Sequence, residues 1–418
     1  MRHLIVADQV FDGQRIIEGG AVLVDGDRIA AVGRQADLGQ PEGARVHRTP
    51  TLLPGLIDAH VHLAFSGVPG REAMLAEAMD QSYPEVALRA AERARDSLCH
   101  GITALRDMAG PGGAVIDLAR AVERGDLVGP RVLACGRGLT VTGGHMDAPL
   151  PDHVTMEGAR APCDGADGFC KGVRTEARRG AGFIKINACV SLHTRPGTWW
   201  RPEMMPDEIA AACDEAHAQD MIVAAHTSGG PPLTATVANG VDCVEHAHWI
   251  DDDCIELMAT RGTFLVPTLL VNERTFEVPL AEQGLTRIPP WSEAARQAKW
   301  VSLAKARQAG IRVGAGTDAG FMMPHATMFW REVALLAEGG YTPAEALTAA
   351  TSVNADILGI EAGRLAPGRL ADMVMVHGDP LTDLSLLGDA TLMTVWKGGA
   401  EVARGGALTT VWPQDMAA

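Results

Sequence analysis

Eight short apolar runs recur through the middle of the chain, separated by segments of helical periodicity, and this alternation is the strongest constraint on its fold. The runs are Leu56–His62, Ile102–Leu105, Arg131–Ala134, Phe183–Ile186, Ile222–Ala225, Cys243–Glu245, Thr263–Val266 and Arg312–Ala315. A strand–helix repeat makes neighbouring strands parallel, because each crossover helix returns the chain to the same end of the sheet. Eight strands is the count of a TIM-type (β/α)8 barrel, so the expected class is α/β. Helix boundaries are legible between the runs. Pro206, Asp207 and Glu208 open a segment with Ile209, Ala212, Cys213 and Ala216 on one face. Thr342, Pro343 and Glu345 form a capping-box pattern, and another helix is predicted from Ser292 to a stop at Gly310.

The two ends of the chain follow a different rule. Leu4–Val10, Gly20–Val24 and Arg28–Val32 are β-rich and set off by turns at Asp12-Gly13 and Asp25-Gly26. Asp372–Val376 and Thr391–Lys397 are strand-like, Gly398-Gly399 turns the chain, and Glu401–Ala403 and Ala407–Val411 follow. The expected organisation is a barrel over residues 55–361, with a small β-sandwich domain built from residues 1–54 and 362–418.

Hydrophobic residues make up 47% and charged residues 21%, a globular balance that argues against general disorder. A formal net charge of −16 would repel a phosphate backbone, so nucleic acid is not an expected partner. No apolar run is long enough to cross a bilayer, and the N-terminal residues lack a signal-like apolar core. The expected setting is therefore cytoplasmic, with no membrane partner. Eight cysteines are scattered without a CxxC pair and read as buried thiols; Cys163 and Cys170 share a Gly/Pro-rich stretch but are not expected to pair.

The chemistry is concentrated where the apolar runs end. In His60-Val61-His62, residues two apart on a strand project to one side, so both imidazoles can reach one cation. Alone that spacing is a weak signal, but it lies at the C-terminal end of a strand, where barrel enzymes carry their ligands. Lys185 sits within the apolar setting Gly182–Asn187, where a free ammonium is costly to desolvate. His226, His246 and Asp318 end three further runs. Residues 136–172 and 190–205, rich in Gly and Pro, directly follow predicted strands and are expected to contact substrate.

The segments Pro54 to His62 and Gly316 to Gly320 resemble the amidohydrolase superfamily. The resemblance covers nearly the whole chain, including Gly368 to Val376. It is strongest to the branch of imidazolonepropionase-like hydrolases and Xaa-Pro dipeptidases (prolidases), through Gly101–Asp107, Thr142–His145, Ile184–Ile186 and Glu245-His246. This resemblance implies two divalent metal ions, with zinc the first choice. His60, His62 and Asp318 would hold one and His226 and His246 the other, with Lys185 bridging them as a CO2-derived carbamate. It further implies attack on an amide-like C–N bond, of the N-acyl amino acid or X-Pro dipeptide type, by a metal-bridging hydroxide. Asp318 would serve as general acid/base, where an ordinary turn aspartate is the alternative.

Other reactions are open to the same site: carbamate, urea, lactone or phosphotriester hydrolysis. A mononuclear deaminase or imidazolonepropionase typically lacks the bridging lysine, so Lys185 argues against it. A non-enzymatic assembly protein is the remote alternative, since all six ligand positions are filled.

His145, Arg195, Trp199, Trp200 and His325 are candidates for contact with a small-molecule substrate, each with a plain structural alternative. His248 shares the predicted face of His246 and reads as a supporting or loop residue. Arg106-Asp107 is expected to supply an ion pair that stabilises the barrel. Ala188-Cys189-Val190 and the Trp199-Trp200 loop depart from the branch pattern at the expected pocket, so its substrate does not carry over directly. Apolar loops make a homo-oligomer the expected state.

Overall fold

The computed structural model describes residues 1–145, 147, 153, 157–190 and 200–409. The two ends of the chain share one nine-stranded sheet. Arg2–Phe11 lies parallel to Arg45–Pro54, which in turn pairs antiparallel with Met373–Val376, Leu53 opposite Val374. Gly20–Asp25 and Arg28–Arg34 extend the sheet on one side, Met393–Lys397, Ala400–Arg404 and Ala407–Leu408 on the other. Alternate side chains from both ends, among them Ile5, Val22, Leu52, Met373 and Trp396, bury together.

The strand Arg45–Pro54 escaped the sequence reading, because Arg45, His47, Arg48 and Pro50 interrupt its alternation. Of the predicted C-terminal strands, Thr391–Lys397 starts later than expected, at Met393, and Ala407–Val411 is described as a strand only over Ala407–Leu408. Thr391 belongs to a turn capped by Asp389, which accepts a hydrogen bond from its amide at 2.9 Å. Of the Ala407–Val411 run, residues 410–411 lie outside the described residues.

Between the ends the sheets are parallel. Leu56–Val61, Ile102–Asp107 and Arg131–Ala134 pair in succession. So do Ile184–Asn187, Val223–Gly229, Cys243–Trp249 and Phe264–Val266. The Gly182 amide donates to Ala134 O at 2.9 Å, joining the two groups. At the far side Gly314 N donates to Leu265 O at 2.8 Å, and Ala59 N donates to Ala315 O at 3.0 Å.

The predicted strand Arg312–Ala315 forms only a single bridge, Val313 to Leu265. A Cβ on Gly314 would lie 2.3 Å from Asn354 Oδ1, so the glycine lets this side chain in. Asn354 Nδ2 then donates to the carbonyls of Ile57 and Ala315 at 2.6 and 2.7 Å, the latter shared with the Ala59 amide.

Helices occupy the connections. Pro206–His217 and Pro343–Thr348 start where predicted. The second is closed by reciprocal bonds, Glu345 N to Thr342 Oγ1 at 3.2 Å and Thr342 N to Glu345 Oε2 at 2.7 Å. Pro290–Gln308 begins two residues before the expected Ser292, with proline at its first position. Within residues 136–172 the structure shows two short parallel strands, Gly138–Thr140 and Arg160–Pro162, and the helix Gly165–Arg179. All eight cysteines are free thiols, Cys163 and Cys170 included. No described helix is long and apolar enough to cross a membrane.

Candidate active site

The C-terminal ends of the parallel strands converge on a cavity of about 280 Å³. Its lining includes His60, His62, Lys185, His226, His246 and Asp318, six residues from four strands and one turn. Asp58 organises the first of these. Its buried carboxylate accepts from the amides of His60 and Thr317 at 3.2 and 3.1 Å and from Thr317 Oγ1 at 2.7 Å, fastening the turn before Asp318 to the His60 strand. Asp318 Oδ1 then lies 3.3 Å from His60 Nε2 and 3.2 Å from His62 Nε2. Burial alone would raise the Asp318 carboxyl, but the His60 charge and bonds from both imidazoles hold it well below the usual range.

His226 and His246 face the same space. Their ring centres are 4.6 Å apart, and that of His246 is 4.9 Å from His60. Burial pushes both well below the ordinary imidazole value, so both are neutral and have lone pairs to offer at neutral pH. The backbone here is strained: His246 has φ 69°, Ala247 45°, Thr268 47° and Asp318 63°, left-handed values that non-glycine residues seldom adopt.

Lys185 completes the arrangement. Its amine is buried without a hydrogen-bond partner, and burial pulls it down to about 8 although the Glu245 charge opposes this. His226 Nε2 is likewise buried and unpartnered. Among the described residues, His60, His62 and Asp318 offer ligand atoms all within 4.8 Å of one another. Buried imidazoles and a carboxylate beside two orphaned nitrogens form a donor set that fits a cation of the zinc, manganese, cobalt or iron type.

A further layer fixes the imidazoles, and sequence reasoning assigned it no role. Glu245 is fully buried, with Oε2 2.7 Å from His60 Nδ1 and Oε1 accepting from Arg106 Nη2 at 2.6 Å. The expected stabilising ion pair at Arg106 thus exists, but its carboxylate also orients His60. Asp107 instead accepts from the Leu63 amide at 2.7 Å. Thr268 Oγ1 sits 2.7 Å from His246 Nδ1, and Lys299 Nζ donates to the Thr268 carbonyl at 3.0 Å. In both cases the partner at Nδ1 leaves Nε2 for the cavity. A glutamate next to a ligand-type histidine was the available signal for Glu245; nothing in the sequence marked Thr268 or Lys299.

The remaining candidates separate. His145 lines the cavity and stacks on His226 with ring centres 4.2 Å apart. His248 lines it as well, its Nε2 3.2 Å from Asn272 Nδ2. Trp200 is 49% exposed. His325 is buried with Nε2 3.0 Å from the Phe65 carbonyl, and burial lowers it to about 4. Neither Trp200 nor His325 is among the described lining residues. Arg195 and Trp199 lie outside the described residues.

The profile of the Amidohydrolase family matches residues 51–402. An ochratoxinase from Aspergillus niger is 31% identical over 407 residues, covering 91% of this chain and 82% of that protein. Its crystal structure superposes with a TM-score of 0.86 at 26% identity, over 99% of this chain and 98% of that one. A Xaa-Pro dipeptidase crystallised with methionine in its active site gives a TM-score of 0.81 at 26% identity, over 96% and 99%. The imidazolonepropionase of Paracoccus denitrificans is 23% identical over 419 residues, covering 89% of this chain and 91% of that protein.

Proposed function

Because this chain belongs to the amidohydrolase family and is a hydrolase of C–N bonds, we propose that it is a binuclear metal-dependent enzyme cutting an amide-like bond in an N-acyl amino acid or X-Pro dipeptide. The observation that carries this reading is the burial of two unpartnered nitrogens, Lys185 Nζ and His226 Nε2, in one cavity with the His60, His62 and Asp318 cluster. The likeness to an ochratoxinase and to a Xaa-Pro dipeptidase supports the bond type.

In this reading His60, His62 and Asp318 would hold one cation and His226 and His246 the other, with zinc the first choice. Lys185 would hold both as a carbamate, its neutral amine forming a bond to the carbon of CO2 and the released proton going to solvent. An ammonium beside two dications is repelled, whereas the carbamate carries negative charge and two oxygens. Cations bound there would lower the pKa of a water towards neutrality and polarise the scissile carbonyl.

The chain's own groups do the rest. Glu245 and Thr268 hold the Nδ1 sides of His60 and His246, so that Nε2 faces the cavity. Asp318, anionic at neutral pH, accepts the proton of the attacking water and delivers it to the leaving nitrogen. His145, stacked on His226, is placed to donate to a substrate carbonyl.

We read the parallel strands as one closed (β/α)8 barrel over residues 55–361. The bond between Gly182 and Ala134, and those that link Leu265 to Gly314 and Ala315 to Ala59, support that closure. The sheet shared by residues 1–54 and 362–418 is read as a small β-sandwich attached to it.

Metal analysis of purified protein, native mass spectrometry, and a panel of N-acyl amino acids, X-Pro dipeptides, carbamates and esters test the reading together. Two metals per chain, a mass increment of one CO2 and amide cleavage are expected. One metal with no CO2, or cleavage confined to carbamates or esters, would overturn it.

A further inference from the structure

Arg160 stands in the same cavity and has no role in the chemistry above. It lies on the strand Arg160–Pro162, and its side chain lies across Gly138, where a Cβ would come within 3.1 Å of Arg160 Cδ. The residue is only 8% exposed. Nη1 donates to the carbonyl of its own neighbour Ala159 at 3.2 Å, and Nε is buried with no partner. The other buried arginine among the described residues, Arg106, is neutralised by Glu245, whereas Arg160 makes no ion pair among the described residues. Its charge is close enough to lower both Lys185 and His226.

Burial lowers this guanidinium and prevails over Asp318 and Asp107, which act on it only through space. A desolvated cation with no carboxylate in direct contact is costly to keep, a cost relieved when an anion arrives. Its planar fork of N–H groups matches a carboxylate. Part of the wall is apolar, formed by Phe65, Met74, Leu285, Trp291 and Phe321. A volume of about 280 Å³ sits near the lower end for small-ligand sites, which suits a dipeptide-sized molecule.

We propose that Arg160 determines specificity by taking a carboxylate that the substrate carries beside its scissile C–N bond, the substrate's apolar substituent resting on the Phe65 and Trp291 side. This assignment rests on the amide-hydrolase reading and narrows it to substrates that release a free amino acid with an apolar side chain.

Calorimetry with L-leucine and its decarboxylated counterpart 3-methylbutylamine tests it apart from turnover. The metal-loaded wild-type protein is expected to bind L-leucine at least about tenfold more tightly, and Arg160→Gln to reduce that ratio by roughly 10- to 100-fold, the range of a hydrogen bond to a charged group. Arg160→Lys keeps the charge without the fork and should fall between. With N-acetyl-L-leucine, the loss in Arg160→Gln should appear in KM more than in kcat. Equal binding of the two ligands by the wild type, or equal weakening of both in Arg160→Gln, overturns the assignment. Carboxylate preference without cleavage of any amide would overturn the hydrolase reading and uphold Arg160. Amide cleavage without carboxylate preference would do the reverse.

Discussion

Replacing Glu245 by glutamine separates orientation of the imidazole from mere packing. The carboxylate takes His60 Nδ1 at 2.7 Å with one oxygen and Arg106 Nη2 at 2.6 Å with the other, all three side chains being essentially inaccessible. Burial opposes its charge, but Arg106 and His60 outweigh burial and pull it down to about 2. Its folded pKa is depressed, so the stability it contributes is fully present above the usual glutamate value and lost as pH falls towards 2. Glutamine has one acceptor oxygen, and its NH2 would face either Arg106 or His60, donor against donor. With the NH2 turned to Arg106, that side chain would keep only its bond from Nε to the Ala59 carbonyl and a weak contact to Cys243.

Breaking a buried pair from one side costs about 3–5 kcal/mol. Loss of the partner that orients a metal-ligating histidine typically weakens metal binding about 10- to 100-fold, or about 1.4–2.7 kcal/mol. Chemical denaturation of the metal-free variant measures the first quantity, and competition with a chromophoric chelator under folded conditions measures the second. Stability lowered by under about 1 kcal/mol, with metal affinity within about twofold of wild type, would refute the reasoning.

Asp318→Asn should keep bound metal yet lose turnover by about 10²- to 10⁴-fold, since the amide cannot accept the proton; kcat near wild type would remove Asp318 from the chemistry. Lys185 is lowered to about 8, so its CO2-reactive neutral form grows as pH rises through that value. At constant dissolved CO2, carbamate formation by metal-free protein, followed by native mass spectrometry, should therefore quicken by about tenfold from pH 7 to 9; a flat profile contradicts this. Gly320 has φ +97°, and a Cβ there would meet the His62 carbonyl at 2.4 Å. Gly320→Ala should accordingly cost about 1–3 kcal/mol or more and loosen metal binding by displacing His62; unchanged melting and metal content would show that the turn can yield.

The six polar residues at the ends of apolar runs were legible because each combined ligand chemistry with an abrupt end to a hydrophobic stretch, and all six line one cavity. Periodicity also located seven of the parallel strands and the Arg312–Ala315 run, which keeps a single bridge where Gly314 admits the Asn354 side chain, but it missed Gly138–Thr140 and Arg160–Pro162. The supporting layer was not legible. Glu245, Thr268 and Lys299 act through contacts among strands and helices distant in sequence, and no local pattern encodes which imidazole a given hydroxyl or carboxylate will meet. Arg160 lay in a Gly/Pro-rich stretch read as loop, and only the pairing of its short strand with Gly138–Thr140 shows that it lines the cavity.

Synthesis of this molecule meets a delay built into its topology. Thr51–Pro54 finds its partner in Met373–Val376, roughly 320 residues later, an interval that a ribosome adding roughly 5–20 residues per second covers in roughly 15–65 s. Throughout that wait the amides and carbonyls along one side of Arg45–Pro54 are a ready template for any stray strand, while the intervening helices and strands emerge and collapse. The joint between the two ends is thus among the last parts to form, and a nascent chain that stalls before Met373 leaves that border bare.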